Sequence, residues 1–552
     1  MAKRILYASQ LLSVTPPMFF IISVSLVEHA AIETLRSLHS MAHHCLLLVT
    51  MLIVSITLYT SHATTSMCGC MNQASALMDF YNSSNPEGWT HIDGWGSSNC
   101  NIPWYGVTCD GASITSVDLS SNNLTGTLPS SWSNMTSMSD MQLYTNPMLS
   151  GSLPPEWSSM SKLRQLYIFG TNLSGTLPSS WSNMTSMSTL LLYTNPMLSG
   201  SLPPEWSSML QLLVVYICGT NVSGTLPSSW RSMTSMLDIR LFSNPMLSGS
   251  LPPEWSSMSQ LLGLHIYAAN VSGTLPSSWS NMTSMSNLRL FSNPMLSGSL
   301  PPEWSSMSRL ATLTICGPGV FGSLPPEWFS MTMLVTLNIT ETNVSGTLPS
   351  SWSCMTSMEN LRLYSNPMLG GTLPPEWSSM TSLQLLILSS NGFSGTLPQS
   401  WANMTQLTQL QISSNRLVGS VPASWLSIPL LQQLNLQNNC LSGTMPATTS
   451  PLLLLPNAIN VCCTKVRGGG PNVSSCSGYQ WPEYCDDVVS HTKSGSTGAS
   501  ATESHLLLST TTSTSLSNTS SSQPPMTMSS TVTATAPSPS QWVCNVSGGT
   551  TS

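Results

Sequence analysis

A four-residue motif recurs along this 552-residue chain at a nearly constant step. It consists of glycine, a serine or threonine, an apolar residue and proline, and each copy begins 24 or 25 residues after the previous one. A unit this short cannot bury its own apolar face, so successive units must stack and share one core. The step therefore predicts a solenoid. The glycines that open the motif are Gly126, Gly151, Gly175, Gly200, Gly224, Gly249, Gly273, Gly298, Gly322, Gly346, Gly371, Gly395, Gly419 and Gly443.

Each unit follows the pattern L-x-x-L-x-L-x-x-N-x-L-S-G-x-L-P, which is that of a leucine-rich repeat. The first part predicts a short strand with inward leucines, and the following asparagine is placed to hydrogen-bond the neighbouring coil. The glycine and proline open an irregular return segment. We expect an α/β-type repeat solenoid of about fourteen coils, with a parallel concave sheet, an irregular or 3-10 convex side and disulfide-capped ends.

A tryptophan stands at one fixed place in each return segment, where the plant-type repeats that this wording resembles usually carry leucine. These indoles could form a sugar-stacking stripe or a buried spine. Their strict spacing beside the core leucines favours the spine. The ladder consists of Trp132, Trp157, Trp181, Trp206, Trp230, Trp255, Trp279, Trp304, Trp328, Trp352, Trp377, Trp401 and Trp425.

Two kinds of repeat alternate and together form a 49-residue unit, copied almost verbatim between Gly126 and Gly298. One kind contains Asn-Pro-Met, and the other contains Pro-Pro-Glu-Trp in its return segment. Such fidelity indicates tandem duplication, so a residue can recur without belonging to a functional site.

The solenoid, interpreted as residues 112–446, is flanked by other segments. Residues 1–64 are interpreted as a signal or targeting region; translation could start at Met41, and the alternative is an uncleaved anchor formed by the apolar runs 18–27 and 45–59. Residues 65–111 are expected to form an N-terminal cap and residues 447–486 a cysteine-rich C-terminal cap. Residues 487–552 are rich in serine, threonine and proline, which predicts a disordered, mucin-like stalk.

Cysteines and glycosylation sequons both favour export. Only 6% of the residues are charged, so glycans would supply much of the solubility. Cys218, Cys316 and Cys354 are expected to be unpaired thiols, because the first two are about four coils apart. Sequons occur at Asn82, Asn123, Asn134, Asn172, Asn183, Asn221, Asn270, Asn281, Asn338, Asn343, Asn403, Asn472, Asn518 and Asn545.

The motifs Leu-Pro-Pro-Glu-Trp-Ser-Ser-Met and Val-Ser-Gly-Thr-Leu-Pro-Ser-Ser-Trp, with the cysteine-rich ends and the Ser/Thr stalk, resemble the promastigote surface antigen family of kinetoplastid protozoa. The resemblance implies a cell-surface or secreted glycoprotein, commonly lipid-anchored, that binds macromolecules. The N-terminal cap resembles that of plant-type leucine-rich-repeat proteins, which implies a Cys100–Cys109 disulfide. The cysteines of the C-terminal cap, expected to form disulfides, are Cys440, Cys462, Cys463, Cys476 and Cys485.

Catalysis is not expected from this sequence. Among the nine histidines, only His91 and His265 fall in segments expected to fold, and there is no phosphate loop or zinc pattern. We therefore expect no enzyme, no cofactor, no metal site and no nucleic-acid partner. The remaining hypotheses are a binding protein with an extracellular protein or glycan ligand, a structural coat component, and a receptor or inhibitor ectodomain of plant type. Membrane association could come from a lipid anchor or from an uncleaved N-terminal segment.

The outward positions of the concave strands are the candidate binding site, because they form a rigid solvent-facing sheet. Aromatic and arginine side chains there are typical interface anchors, although a cross-strand ladder would give the same pattern. A glycan at Asn338 would confine the ligand to roughly the coils from Ile114 to Leu290. The candidates are Tyr144, Phe169, Tyr193, Arg240, Phe242, His265, Tyr267, Arg289, Phe291, Arg362 and Tyr364.

Overall fold

The computed structural model describes residues 70–447 and 458–468, together with residues 482 and 485. The signal region (1–64), the stalk (487–552) and most of the C-terminal cap lie outside the described residues. Among the described residues, the α-helix α1 (Ala74–Ser83) precedes the strands. In chain order the strands are β1 (Val107–Asp110), β2 (Ser113–Asp118), β3 (Asp140–Gln142), β4 (Gln165–Tyr167), β5 (Ser174–Thr176), β6 (Thr189–Leu191), β7 (Met197–Ser199), β8 (Val214–Tyr216), β9 (Gly224–Thr225), β10 (Asp238–Arg240), β11 (Leu247–Ser248), β12 (Gly263–His265), β13 (Gly273–Thr274), β14 (Asn287–Arg289), β15 (Leu296–Ser299), β16 (Thr312–Cys316), β17 (Gly319–Ser323), β18 (Thr336–Thr340), β19 (Asn343–Thr347), β20 (Asn360–Arg362), β21 (Asn366–Thr372), β22 (Leu385–Ile387), β23 (Asn391–Thr396), β24 (Gln409–Gln411), β25 (Arg416–Gly419), β26 (Gln433–Asn435), β27 (Cys440–Thr444), β28 (Ile459–Asn460) and β29 (Lys465–Arg467).

The main sheet confirms the predicted leucine-rich-repeat solenoid. It contains β1 to β4 and then the even-numbered strands from β6 to β28. Its first pair, β1 and β2, is antiparallel, whereas the coils that follow pair in parallel with equivalent residues side by side. Leu264, for example, lies between Ile239 and Leu288. These central strand residues are fully buried, so the residues on either side of them face outwards.

The opposite side of each coil is a short 3-10 helix, as expected for an irregular return segment. A proline in extended conformation precedes each of these helices on the solenoid and leads the chain into the turn. The 3-10 helices are Met71–Gln73, Pro86–Gly88, Ser130–Asn134, Pro155–Ser159, Ser179–Asn183, Pro204–Ser208, Ser228–Ser232, Pro253–Ser257, Ser277–Asn281, Pro302–Ser306, Pro326–Ser330, Ser350–Cys354, Pro375–Ser379, Gln399–Asn403 and Ala423–Ser427.

The tryptophan ladder is a buried spine, as predicted. All thirteen indoles have no solvent-accessible surface. Ten of the twelve adjacent pairs of rings stack with centroids 5.8 to 6.4 Å apart, as between Trp279 and Trp304. From Trp157 onwards each indole N–H also donates to a proline carbonyl of the preceding coil, for example Trp279 Nε1 to Pro252 O at 3.0 Å, whereas Trp132 Nε1 donates to Ala76 O of α1. The sugar-stacking alternative is therefore excluded for these residues.

Buried asparagines join successive coils, which confirms their expected role. Asn244 donates through Nδ2 to the carbonyls of Ile217 (2.6 Å) and Leu241 (2.9 Å). Its Oδ1 accepts hydrogen bonds from the amide and the hydroxyl of Thr220. One side chain thus satisfies backbone groups of two coils that would otherwise be buried without partners.

A second parallel sheet, which the sequence pattern did not predict, follows each turn. The odd-numbered strands from β13 to β29 form a nine-stranded sheet, and β5–β7 and β9–β11 form two separate pairs. The repeated glycine makes this approach possible. Gly249 has φ +78°, and a Cβ there would lie 2.7 Å from Thr225 Cγ2.

The cap disulfides differ in part from expectation. Cys109 pairs with Cys70, whose Cα lies 6.1 Å away at the start of the cap helices, and Cys100 forms a different disulfide bond. The predicted Cys100–Cys109 pair is therefore wrong. Helix α1 brings Cys70 to β1, and the spacing of cysteines along the chain does not reveal this approach.

At the other end, Cys440 pairs with Cys485, and Cys462 is also disulfide-bonded. Cys463 has a free thiol, contrary to expectation, since it occupies a left-handed turn beside the bonded Cys462. Cys476 lies outside the described residues.

In the solenoid Cys218 and Cys316 are free as predicted, but Cys354 is disulfide-bonded, so its predicted free state is wrong. Cys354 ends a convex 3-10 helix, and its side chain is therefore not confined to the sheet as those of the other two are.

Candidate functional site

The predicted site residues occupy two parallel lines on the outward face of the main sheet. We call them the arginine line and the aromatic line. In each coil the residue of the aromatic line comes two positions after the residue of the arginine line. On the arginine line, His265 pairs in register with Arg240 on one side and Arg289 on the other. Arg362 belongs to the same line but lies beyond Thr314 and Asn338. The structure therefore brings three of the four basic candidates together.

The aromatic line is divided into two stacked triplets. Tyr144, Phe169 and Tyr193 have centroids 4.6 and 4.2 Å apart. Phe242, Tyr267 and Phe291 have centroids 4.5 and 4.2 Å apart.

Cys218 occupies the position between the triplets, Cys316 the position after the second one, and Tyr364 lies further along. The central rings, Phe169 and Tyr267, have both faces covered by their neighbours, so a ligand can meet only their edges. The line thus stabilises the sheet along its length, and only the outer rings of each triplet offer a free face.

Arg240 is not the exposed cation that the sequence suggested. It donates from Nε (3.1 Å) and Nη2 (2.9 Å) to Asp238 Oδ2, and only 16% of its side chain is exposed. Its guanidinium also lies 4.3 Å from the centroid of the Tyr216 ring. Burial is the largest single effect and lowers the pKa of Arg240, but the charge and hydrogen bond of Asp238, together with Tyr216 and Cys218, more than offset it, so the pKa is raised. This arginine is therefore held and neutralised by the sheet itself.

Asp238 and Tyr216 belong to the site although sequence reasoning did not select them. The Tyr216 hydroxyl donates to Asp238 Oδ2 at 2.7 Å, and burial, with the adjacent carboxylate, raises its pKa. Asp238 Oδ1 is buried and accepts no hydrogen bond from the residues that the structure describes. The sequence could have indicated this pairing, because Asp238 stands two residues before Arg240 and therefore lies on the same face of the strand.

Glycine at position 263 leaves room for this carboxylate. A Cβ there would lie 2.9 Å from Asp238 Oδ1 and 3.4 Å from His265 Nε2. His265 itself is almost fully buried. The absence of a side chain at Gly263 thus lets the Asp238 carboxylate and the His265 imidazole pack over its Cα, between the two arginines.

Arg289 is the third member of this cluster, next to His265 on the arginine line. Its Nε donates to Asn287 Oδ1 at 3.1 Å. Burial lowers the pKa of Arg289; Tyr267 opposes this with a smaller effect, and the charge of Arg240 adds a still smaller lowering effect. Arg289 and the rings of the second triplet lie side by side on the outward face of the sheet.

The two thiols on the aromatic line differ in reactivity. Burial raises the pKa of the Cys218 thiol to about 12, so at pH 8 roughly one molecule in ten thousand carries the reactive thiolate. Cys316 is less buried and contacts Glu341. We expect iodoacetamide at pH 8 to label Cys316 at least about tenfold faster than Cys218 in the native protein. Peptide mass spectrometry measures both rates, and equal rates would show that the sheet does not cover Cys218.

The predicted glycosylation asparagines can be located, although their occupancy stays a prediction. Asn338 is half-buried on β18, beside Arg362, whereas Asn472, Asn518 and Asn545 lie outside the described residues. Exposed side chains belong to Asn82, Asn123, Asn134, Asn172, Asn183, Asn221, Asn270, Asn281, Asn343 and Asn403.

Within residues 70–447 and the other described positions, no group of histidine, cysteine and acidic side chains is arranged to hold a metal ion. The same residues contain no helix with the length and apolar character needed to cross a membrane.

A family model, a sequence relative and several solved structures all support the leucine-rich-repeat fold. The family model "Leucine Rich Repeat" matches residues 113–135, 162–184 and 382–404. A nodulation receptor kinase of Pisum sativum is 43% identical over 60 residues, which are 10% of this chain and 6% of the kinase. The chain thus matches only a small part of that relative.

Solved structures with the same architecture include plant receptors. The plant peptide hormone receptor RGFR1 in complex with RGF2 is 25% identical, with a TM-score of 0.60 over 67% of this chain and 65% of that one. A TDR receptor is 24% identical, with a TM-score of 0.56 over 64% of each chain. The Arabidopsis receptor kinase HAESA, in complex with the peptide hormone IDA and the co-receptor SERK1, is 23% identical, with a TM-score of 0.52 over 72% of this chain and 74% of that one. The two likenesses below 25% identity show the fold alone.

Proposed function

We propose that this chain is an extracellular, non-enzymatic recognition protein that binds a macromolecular ligand on the outward face of its main sheet. The disulfide bonds suit an oxidising compartment. The similar RGFR1 structure is that of a peptide hormone receptor in complex with RGF2, which favours a protein or peptide ligand over a glycan. The resemblance to the promastigote surface antigens supports a surface or secreted glycoprotein, with a lipid anchor as one mode of attachment.

The binding surface is centred on β10, β12 and β14, and the ligand class is an acidic protein segment. The observation that carries this is the arrangement of Arg289 beside the stacked rings of Phe242, Tyr267 and Phe291. Arg289 supplies positive charge, and the outer rings supply apolar contact. Partly buried arginine beside aromatic rings is a typical anchor of protein interfaces.

The test measures binding of synthetic peptides to the immobilised full chain, using acidic sequences and matched sequences with glutamine in place of glutamate. We expect only the acidic set to bind, with an affinity that falls as salt rises. The Arg289→Gln substitution should weaken binding by about tenfold or more, since it removes a charge-assisted contact. Arg231→Gln is the matched control, because Arg231 is exposed on a convex 3-10 helix.

Equal loss in both arginine variants would indicate non-specific charge attraction and contradict the assignment of the site. An acidic-glycan array run in parallel separates the two ligand classes. Arg240→Ala is unsuitable as a binding probe, because it leaves the partly buried Asp238 carboxylate without its counter-ion and should lower stability as well.

Failure of all probes would favour the second candidate, a structural coat component, whose support is the near-verbatim repetition of the coils. A glycan on Asn338 of β18 would screen the coils around it and confine the ligand to roughly the coils from Ile114 to Leu290. Glycopeptide mapping that finds Asn338 unoccupied removes this limit.

A further inference from the structure

A row of exposed hydrophobic side chains runs along the edge where each coil enters the second sheet. Met148, Met197, Met246, Met295 and Met368 each follow an Asn-Pro pair, and each is 57 to 63% exposed. The methionines that directly follow the convex 3-10 helices, such as Met282, are by contrast buried. A soluble chain rarely keeps a regular apolar row in water unless something covers it. We call these five residues the methionine row.

Sequon asparagines occupy the same place in the alternate coils. Asn221, for example, is the coil equivalent of Met197, since Asn-Val-Ser-Gly in one coil matches Met-Leu-Ser-Gly in the other. The two kinds of coil are joined at this point by backbone hydrogen bonds: the amides of Asn172, Asn221 and Asn270 donate at 2.8 to 2.9 Å to the carbonyls of the leucines that directly follow Met148, Met197 and Met246. All of these asparagine side chains face solvent.

The methionine row is interrupted in the coil after Met295, and there too an exposed apolar side chain lies next to a sequon asparagine. In the coil after Met295 no sequon is present, and Phe321 is the exposed apolar residue there. The next coil brings Asn343, which pairs in register with Phe321. An exposed apolar side chain is thus again next to a sequon.

We propose that N-linked glycans on Asn172, Asn221, Asn270 and Asn343 lie along this edge and cover the methionine row and Phe321. The attachment joins Asn Nδ2 to the anomeric carbon of a lipid-linked oligosaccharide; the nitrogen loses a proton and the lipid diphosphate leaves. Neighbouring strands lie about 4.8 Å apart, so the first sugar on Asn221 reaches the coils that carry Met197 and Met246. The C–H face of a sugar ring can pack on thioether groups, while its hydroxyls face water. The inference rests on the proposed extracellular location.

The test is oxidation by hydrogen peroxide of the full chain secreted from eukaryotic cells. Peroxide transfers one oxygen to the methionine sulfur and is reduced to water, and the rate follows exposure. Glycopeptide mapping first establishes occupancy, and peptide mass spectrometry then follows sulfoxide formation at each methionine. The convex Met333, which is similarly exposed and belongs to a coil without a sequon on its 3-10 helix, serves as the internal standard.

In Asn221→Gln, we expect oxidation of Met197 and Met246 to accelerate by about threefold or more, while Met368 and Met333 are unchanged. Asn281→Gln, which removes a convex sequon, is the matched control and should change none of these rates. Native enzymatic removal of the glycans should accelerate the whole methionine row and provides a second measurement that involves no substitution.

An unoccupied Asn221, or an occupied one whose removal leaves the rates of Met197 and Met246 unaltered, would overturn the proposal. A partner protein or a second copy on this edge would show instead as protection that persists after glycan removal. Because no step uses the face of the main sheet, failure here is distinguishable from failure of peptide binding.

Discussion

Replacing Trp279 by alanine should lower the free energy of unfolding by about 3–5 kcal/mol, the range for a large buried aromatic residue. Trp279 has no exposed surface, stacks on Trp304 with centroids 6.4 Å apart, and donates to Pro252 O at 3.0 Å. Alanine leaves a cavity between two coils and removes one of the two hydrogen bonds that the Pro252 carbonyl accepts, the other coming from the Trp255 amide. Denaturant unfolding monitored by circular dichroism measures the loss.

Two further variants test this explanation. Trp279→Phe keeps a ring in the stack but loses the indole N–H, so its cost should be smaller, about 1–3 kcal/mol. Phe321→Ala, at an exposed aromatic residue, should change stability by less than about 0.5 kcal/mol. An unchanged midpoint in Trp279→Ala would contradict the buried spine.

The second large effect is expected at Asn244. Substitution by leucine removes the donor to the carbonyls of Ile217 and Leu241 and the acceptor for Thr220, all in a buried environment. Each buried group left unsatisfied costs about 1–3 kcal/mol, so the total loss should be about 3–5 kcal/mol despite the added apolar surface. Thermal and denaturant unfolding are the measurements.

Asn403→Leu is the matched control, because Asn403 is exposed at the end of a convex 3-10 helix. Both variants are compared after removal of N-glycans, so that the lost sequon does not enter the comparison. Similar costs in the two variants would mean that the buried asparagines do not join the coils.

The repeat pattern predicted the stacking direction, the buried tryptophans and the joining role of the asparagines, because each depends on a periodic contact between equivalent residues. The second sheet was missed because it consists of two to seven residues per coil around a glycine that reads as a turn. Its pairing depends on how closely successive coils approach, which a single repeat does not encode.

The predictions of the cap disulfides and of the exposed charge at the candidate site were wrong for different reasons. The partner of Cys109 is decided by where α1 places Cys70 in space, and spacing along the chain is silent on this. The neutralisation of Arg240 was readable in principle, since Asp238 lies on the same face of the same strand. The hydrogen bond that Tyr216 donates to the same carboxylate comes from the adjacent strand, so the sequence of one strand does not reveal it.

The two-coil construction has a consequence for variation in length. In the duplicated region tryptophan and serine contacts join every pair of coils, and asparagine contacts join every second pair. A whole 49-residue unit can therefore be gained or lost by unequal recombination without creating a new kind of junction. Each cap would still pack against the same kind of coil, and the two kinds of coil would still alternate along the solenoid. Changes of whole units would lengthen or shorten the outward face in steps of two strands, so populations of this chain could differ in reach while sharing one stable architecture.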